Sequence, residues 1–286
     1  MDSASSFELY RARADAGAAL ALADTESPFT IDVRFLGGLS ETQKNAFKLA
    51  ADRWTRVIVG DLPSVLVDGE VIDDVLIQAQ GTPIDGPGRI LGQAGPTHLR
   101  PASAGAAAYL PAKGIMSFDT ADLEKMEQSG TLNDVIAHEM GHVLGIGTVW
   151  EMKGLVRGTG TYNPTFGGTA AKRAYRLLRG SGGSRRVPLE NTGGPGTADS
   201  HWRETVFRNE LMSGFVAEPG NPLSTLTVAS LEDVGYAVDQ AAAEPYALPN
   251  LMALAEAGLL MPHIAPINEG IMLPNIPTIL PEDSLR

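Results

Sequence analysis

An α+β fold is predicted by the order of local patterns along this chain of 286 residues. Several short segments are rich in β-branched residues, as strands are, while longer segments repeat apolar residues at helical spacing. Hydrophobic residues make up 43% and charged residues 20%, as in ordinary globular proteins. The strand and helix patterns fall mainly within residues 30–147, which we expect to form the larger, N-terminal subdomain.

The first predicted strand is TIDVRFLG (30–37), which alternates in polarity. A helix follows, because Ser40 and Gln43 match the capping box and apolar residues then recur on one helical face. The residues of that face are Phe47, Ala50, Ala51, Trp54, Val57 and Ile58. Further strands are predicted, between turns rich in Gly and Pro, at VLIQAQG (75–81), RILGQA (89–94) and GIMSFD (114–119).

Two more helices are predicted farther along. One begins near Thr131, with Asp134 three residues later as an acidic variant of the capping pattern, and stops at Gly145 and Gly147. The other ends within SLEDVGYAVD (230–239).

Composition and charge exclude several classes of function. The net charge of −12 makes nucleic acid an unfavourable partner. The absence of cysteine excludes disulfides, thiolate metal sites and a cysteine nucleophile, so a metal would need His and carboxylate ligands. No apolar run has the length of a membrane span. The apolar run at 16–23 lacks a basic segment before it and is not interpreted as a signal peptide.

The motif DVIAHEMGHVLGIG (134–147) predicts a catalytic zinc helix. On a helix, His138 and His142 lie about 40° apart and one turn apart, so both imidazoles can reach one ion. Glu139 lies beside the ion rather than on it, where a carboxylate can accept a proton from an activated water. An amphipathic helix with two surface histidines is the alternative. It explains the histidine pair, but not the glutamate and the glycine stop in a chain with five histidines.

A zinc hydrolase usually has three protein ligands, and the third is not adjacent here. The glycine break at 145 and 147 argues against a glutamate ligand farther along the same helix. Thr148 stands where a histidine follows the glycine in the HExxHxxGxxH pattern. The remaining candidates are His98, His201 and His263.

Four motifs stand out along the chain: HExxHxxG from His138 to Gly145, the pair His201-Trp202, Glu-Leu-Met ending at Met212, and VPLENTGGPGT (187–197) as the approach to the histidine. Together these motifs resemble the leishmanolysin-like zinc metallopeptidases, a group of the metzincins, and in particular their bacterial members. In that family an insertion separates the glycine from the third ligand.

The resemblance covers roughly residues 30–240. The zinc ligands that it implies are His138, His142 and His201. It implies that Glu139 is the general base, that Gly145 ends the helix, and that Met212 forms a Met-turn, an apolar base under the metal. A tyrosine ligand two residues after that methionine is not expected, because Gly214 occupies the position.

The fold that the resemblance implies has a twisted, mostly parallel sheet with an active-site helix and a smaller C-terminal subdomain. The expected domain limits are an N-terminal arm (1–29), a catalytic subdomain (30–147), a basic Gly-rich insertion (148–200), a C-terminal subdomain (201–244) and a Pro-rich tail (245–286). The insertion has eight Lys and Arg against three Asp and Glu. A solvated basic face is favoured over a flap that contacts substrate.

The expected function is zinc-dependent endopeptidase activity on protein or peptide substrates, with one catalytic Zn²⁺ and structural Ca²⁺ in acidic loops. An extended peptide would pair with an edge strand around Arg89–Ala94. One alternative is a zinc-containing binding or surface-interaction protein that does not cleave, and another is a hydrolase of non-peptide substrates. The intact Glu139 favours a hydrolase. The acidic, cysteine-free composition is compatible with a secreted enzyme.

Overall fold

The computed structural model describes residues 7–86, 88, 91–180, 182–194, 196–216, 218–256, 271–272 and 276–286. The strands of the large sheet are β1 (Glu8–Arg13), β2 (Thr30–Gly37), β5 (Val75–Thr82), β6 (Gly92–Leu99), β7 (Pro111–Asp119), β11 (Ile271–Met272) and β12 (Thr278–Ile279). The smaller sheets consist of β3 (Val65–Val67) with β4 (Glu70–Ile72), and of β8 (Val156–Arg157), β9 (Thr165–Phe166) and β10 (Val187–Pro188).

The large sheet has seven strands, ordered β1-β2-β5-β7-β6-β11, with β12 also pairing with β6. The central pairs β2–β5 and β5–β7 are parallel, whereas β1–β2 and β6–β7 are antiparallel. This mixed α/β architecture with a mostly parallel central sheet confirms that part of the predicted fold. The strands predicted at 30–37, 75–81 and 114–119 correspond to β2, β5 and β7. The strand predicted at 89–94 begins at Gly92, and residues 89 and 90 lie outside the described residues.

The described helices are α1 (Ala16–Ala23), α2 (Glu41–Val57), α3 (Thr120–Ser129), α4 (Leu132–Val143), α5 (Thr169–Leu178), α6 (Glu204–Phe207), α7 (Thr225–Val234) and α8 (Leu251–Glu256). The capping box of α2 is formed as predicted, with both the Ser40 and the Gln43 hydrogen bonds present. The ring of Phe47 packs edge-on against Phe35 and Phe118, and this contact fixes α2 on the sheet.

Helix α2 also supports α4. Trp54 is fully buried and its Nε1 donates to the backbone oxygen of Ala137, at 2.9 Å, in the middle of α4. Burial of a side chain of this size stabilises the fold by about 2–3 kcal/mol. The hydrogen bond fixes the rotation of α4 relative to α2.

The predicted cap of α4 is wrong. Thr131 makes no hydrogen bond as a side-chain cap, and its Oγ1 pairs instead with the Ser129 hydroxyl at 2.8 Å. Asp134 turns away from the helix start, because its carboxylate accepts hydrogen bonds from the Gly220 backbone N at 2.6 Å and from Arg53 at 3.4 Å. These tertiary partners outcompete the local pattern.

Residues 148–200 contain α5, which packs against α7 through a small apolar face. The buried residues of that face are Ala170, Ala171, Ala174 and Tyr175. The Asp233 carboxylate of α7 accepts from the backbone N atoms of Ala170 and Ala171, at 2.9 and 2.8 Å, and so caps the N-terminus of α5. In the part of the chain that the structure describes, no helix is both long and apolar enough to cross a membrane.

Candidate metal centre

Three imidazoles from two separate segments meet in the cleft. Helix α4 places His138 and His142 on one face, with their Nε2 atoms 3.1 Å apart. His201 lies in the loop before α6, and its Nε2 is 3.0 Å from that of His138 and 2.9 Å from that of His142. The structure therefore brings these three predicted residues together, in an arrangement able to hold a metal ion.

The other ring nitrogen of each histidine faces a backbone oxygen. His138 Nδ1 donates to Leu211 O at 2.6 Å, and His142 Nδ1 to Ile146 O at 2.8 Å. His201 Nδ1 donates to the oxygen of residue 197 at 2.9 Å. A carbonyl can only accept, so each Nδ1 carries the proton and each Nε2 keeps its lone pair for a cation.

Burial keeps these rings neutral. The three histidines are at most 5% exposed. Desolvation lowers the pKa of His138 to about 3 and that of His142 to about 4, and the pKa of His201 also lies well below its ordinary value. Three neutral imidazoles that point their lone pairs at one place are a donor set typical of zinc, so the residues fit this metal.

Glu139 lies beside this triangle. Its Oε1 is 3.9 Å from His138 Nε2, and the residue is 7% exposed. Burial raises the pKa of Glu139 to about 8. A cation at the three Nε2 atoms acts in the opposite direction, because positive charge favours the ionised carboxylate. The ionisation of Glu139 therefore depends both on its burial and on the charge held at the three histidines.

The peptide unit that joins His201 to Trp202 is held by two neighbouring segments. Glu190 N donates to His201 O at 2.9 Å, and Trp202 N donates to Met212 O at 2.9 Å. The Glu190 carboxylate accepts from Glu204 N at 2.9 Å and from the Thr192 hydroxyl. No sequence motif predicts this role of Glu190. The sequence signal for these hydrogen bonds is a glutamate that stands beside Asn, Thr and Gly shortly before the histidine.

Met212 lies fully buried beneath α4. A Cβ atom added at Gly141 would stand 2.8 Å from Met212 Sδ, so the glycine lets the helix and the methionine approach closely. The turn is fixed by buried Glu210, whose carboxylate accepts from Met212 N at 2.6 Å and from the hydroxyls of Ser224 and Thr227. The Glu-Leu-Met motif contains Glu210 but does not predict this structural role.

The end of α4 also shapes the centre. The helix stops at Val143, and Gly145 follows with φ at +106°. Gly147 has φ at +76°, and a Cβ there would lie 2.3 Å from Ser200 O. Only glycine allows this close approach, which brings the end of α4 against the residue next to His201.

The remaining predicted candidates lie elsewhere or cannot be placed. His98 is in β6 and its Nδ1 contacts Thr97 Oγ1 at 3.1 Å, away from the triangle. His263 lies outside the described residues. A cluster of Asp61, Asp73 and Asp74 is the nearest match to the expected calcium site. Its buried member, Asp74, already accepts hydrogen bonds from Thr30 and Leu62, which explain its burial without an ion.

A cavity of about 290 Å³ opens at the three histidines and Glu139. Leu91 and Ala94 line it on the side of β6, and Phe215 and Val216 line it beyond Met212. It is large enough for a substrate side chain.

Comparison with known proteins gives one finding. The family model described as leishmanolysin, a peptidase family, matches residues 106–253, which is about half of the chain. The match includes α4, residues 148–200, His201 and Met212, and it confirms the resemblance predicted from the motifs. A search of curated proteins returned no match.

Proposed function

Because the chain belongs to the leishmanolysin family of metallopeptidases, we propose that it is a zinc-dependent endopeptidase. The proposed ligands are His138, His142 and His201. The convergence of their three Nε2 atoms, within 3.1 Å of one another and beside a buried carboxylate, carries the proposal. A zinc ion at this point supplies Lewis-acid activation of a water molecule and of the scissile carbonyl.

Glu139 is the proposed general base. Its carboxylate accepts the proton that the attacking water loses, and then delivers a proton to the amine nitrogen as the peptide C–N bond breaks. The 3.9 Å between Glu139 Oε1 and His138 Nε2 keeps the carboxylate close to the reacting atoms without making it part of the histidine set. The backbone carbonyls behind the three imidazoles hold their rings in the orientation that this chemistry needs.

The remaining expectations belong to the same proposal. Met212 forms the apolar base of a metzincin Met-turn, and Gly145 ends the active-site helix. Residues 30–147 and 201–244 form the upper and lower subdomains around the cleft, with 148–200 as the insertion. An extended peptide substrate adds to β6, where Leu91, just before the strand, and Ala94, within it, line the cavity. Secretion and structural calcium stay predictions from composition.

The test is proteolysis of casein by the purified protein, with and without 1,10-phenanthroline. We expect cleavage that the chelator abolishes and that added zinc restores. Glu139→Gln should lower kcat by about 10²–10⁴-fold, the usual contribution of a general base, while it still binds stoichiometric zinc.

Glu26→Gln is the matched control, since Glu26 is exposed and does not line the cavity. It should cleave as the unaltered protein does. Equal activity of the Glu139→Gln variant would contradict the assigned base. A protein that binds zinc and cleaves neither casein nor peptides would instead be a zinc-containing binding protein.

A further inference from the structure

The outer edge of β6 is covered by residues from the end of the same chain. Strand β11 pairs in parallel with the start of β6, with Ile271 opposite Gly92 and Met272 opposite Gln93. Strand β12 pairs in parallel with the other end, with Thr278 opposite His98 and Ile279 opposite Leu99. Residues 271–272 and 276–280, here called the covering segment, therefore pair with β6 at both of its ends.

The covering segment is anchored at its far end. Leu280 N donates to Leu99 O at 2.9 Å, and the Leu280 side chain is 7% exposed. It packs in a second apolar cluster, separate from the main core, with Val65, Val67, Ile72, Leu76 and Ala112. Beyond it, Arg286 N donates to Ser64 O at 2.8 Å. These contacts give the segment a defined docking site.

The covered strand is the one that borders the cleft. Leu91 and Ala94 line the cavity that also contains the three histidines, and Gly92 and Gln93 lie between them. Ile271 and Met272 occupy the hydrogen-bonding edge at this point. A peptide that adds to the sheet here needs the same backbone N–H and C=O groups of β6, so it and the covering segment exclude each other.

The covering segment has prolines that prevent a further strand from pairing with it. Pro277 and Pro281 flank β12 and have no backbone N–H, so they cannot take part in pairing with a further strand. The segment therefore ends the sheet. No charged residue lies between positions 271 and 280. Among the described side chains of this stretch, Leu280 is buried, whereas Ile276 and Ile279 are exposed.

We propose that the covering segment is an internal competitor for the peptide-binding edge of β6, so that substrate pairs with β6 only when the covering segment leaves it. This proposal rests on the proposed function, because only that function makes the competing molecule a peptide substrate. The chain then exists in a covered and an uncovered state, and the apparent affinity for an extended peptide is reduced by the fraction that is uncovered.

A binding experiment tests the docking site without any need for catalysis. A shortened chain that ends at residue 270 is mixed, in excess EDTA, with a fluorescent peptide of the sequence IMLPNIPTILPEDSLR. We expect saturable binding by fluorescence anisotropy, and much weaker binding to the full chain, whose edge is already covered. A peptide of scrambled sequence is the control and should not bind.

A kinetic experiment tests the competition. With a peptide substrate of about ten residues, the shortened chain should show a KM lower by about fivefold with kcat little changed, as expected if about one molecule in five is uncovered in the full chain. The IMLPNIPTILPEDSLR peptide should inhibit the shortened chain competitively. An unchanged KM, together with no peptide binding by a shortened chain that is folded by circular dichroism, overturns the proposal.

A second variant keeps the whole chain, in case the shortened one does not fold. The protein has no cysteine, so His98→Cys with Thr278→Cys introduces a single pair at positions that face each other across β6 and β12. Oxidised glutathione converts the two thiols to a disulfide, which should raise KM, and dithiothreitol should reverse the effect. An identical KM before and after reduction also overturns the proposal. If no variant cleaves any peptide but the shortened chain still binds the IMLPNIPTILPEDSLR peptide, the proposed function fails and the docking site stands.

Discussion

Backbone atoms determine how the three histidines are presented. Each Nδ1 proton is held by a carbonyl from a different part of the centre: Leu211 before Met212, Ile146 after α4, and the residue at 197 in the loop before His201. Since the free Nε2 lone pairs depend on these carbonyls, the ability to hold a metal depends on three loops as well as on three side chains.

Removal of a single imidazole should show which histidines are zinc ligands. His201→Ala removes an Nε2 that lies within 3.0 Å of the other two, so stoichiometric zinc should no longer be found by atomic absorption after dialysis. His98→Ala is the control, because His98 lies in β6 outside the triangle, and it should keep full zinc content. Full occupancy in His201→Ala would disprove the assignment of that ligand.

Helix α4 is held in place by two neighbouring side chains, Trp54 of α2 and Met212. Both approach the helix at Gly141, where a Cβ atom would lie 2.8 Å from Met212 Sδ and 2.9 Å from Trp54 Cζ2. These distances are shorter than carbon contacts allow, so the position needs glycine for packing, although glycine weakens a helix interior.

Gly141→Ala should therefore destabilise the fold. Overpacking typically costs about 1–3 kcal/mol, which exceeds the gain of about 1 kcal/mol that alanine brings to a helix. We expect a lower free energy of unfolding in urea. Gly17→Ala is the helical control, since a Cβ there meets only Asp15 Oδ1, at 3.1 Å, and it should be neutral or stabilising. A more stable Gly141→Ala variant would contradict the close contact.

Elements with a strong local pattern could be predicted, and elements that depend on remote partners could not. The apolar face and capping box of α2 are encoded within the helix itself, and so is the histidine spacing of α4. Strand β1 has mostly exposed side chains and forms through pairing with β2, so no alternation indicates it. Strands β11 and β12 likewise form through pairing with β6, which lies far away in sequence, so no local pattern predicts that pairing.

The candidate site divides in the same way. His138, Glu139 and His142 follow from one helix, and His201 needed a family resemblance because 58 residues separate it from His142. The backbone carbonyls that hold the imidazoles could not be predicted, since a carbonyl such as Leu211 O has no signature in a sequence. Buried carboxylates such as Glu190 and Glu210 are visible as residues, but their partners are set only by the folded loops.

One arginine connects distant parts of the whole molecule. Arg53 of α2 donates to both oxygens of the Glu244 carboxylate, at 2.8 and 2.5 Å, and to Asn221 O at 2.6 Å. It also contacts Asp134 at the start of α4. The segment after α7 is thus tied to the helices that position the metal centre.

This tie should make the stability of the molecule depend on pH. Burial alone would raise the pKa of Glu244, but hydrogen bonds from Arg53 and Leu223 N and the charge of Arg53 outweigh it and lower the pKa below its ordinary 4.5. A carboxyl with a lowered pKa in the folded state stabilises the fold fully above 4.5, and this stabilisation is lost as the pH falls through the folded-state pKa.

Glu244→Gln should therefore unfold more easily at neutral pH, by about 2 kcal/mol, since it loses hydrogen bonds to a charged group. The difference from the unaltered protein should shrink as the pH falls below 4.5, because the native carboxyl becomes protonated. The measurement is urea unfolding across this pH range in excess EDTA, so that metal binding adds no pH dependence of its own. Glu26→Gln, at an exposed position, should follow the unaltered protein at every pH. A constant difference for Glu244→Gln would show that the ion pair does not titrate as the contacts require.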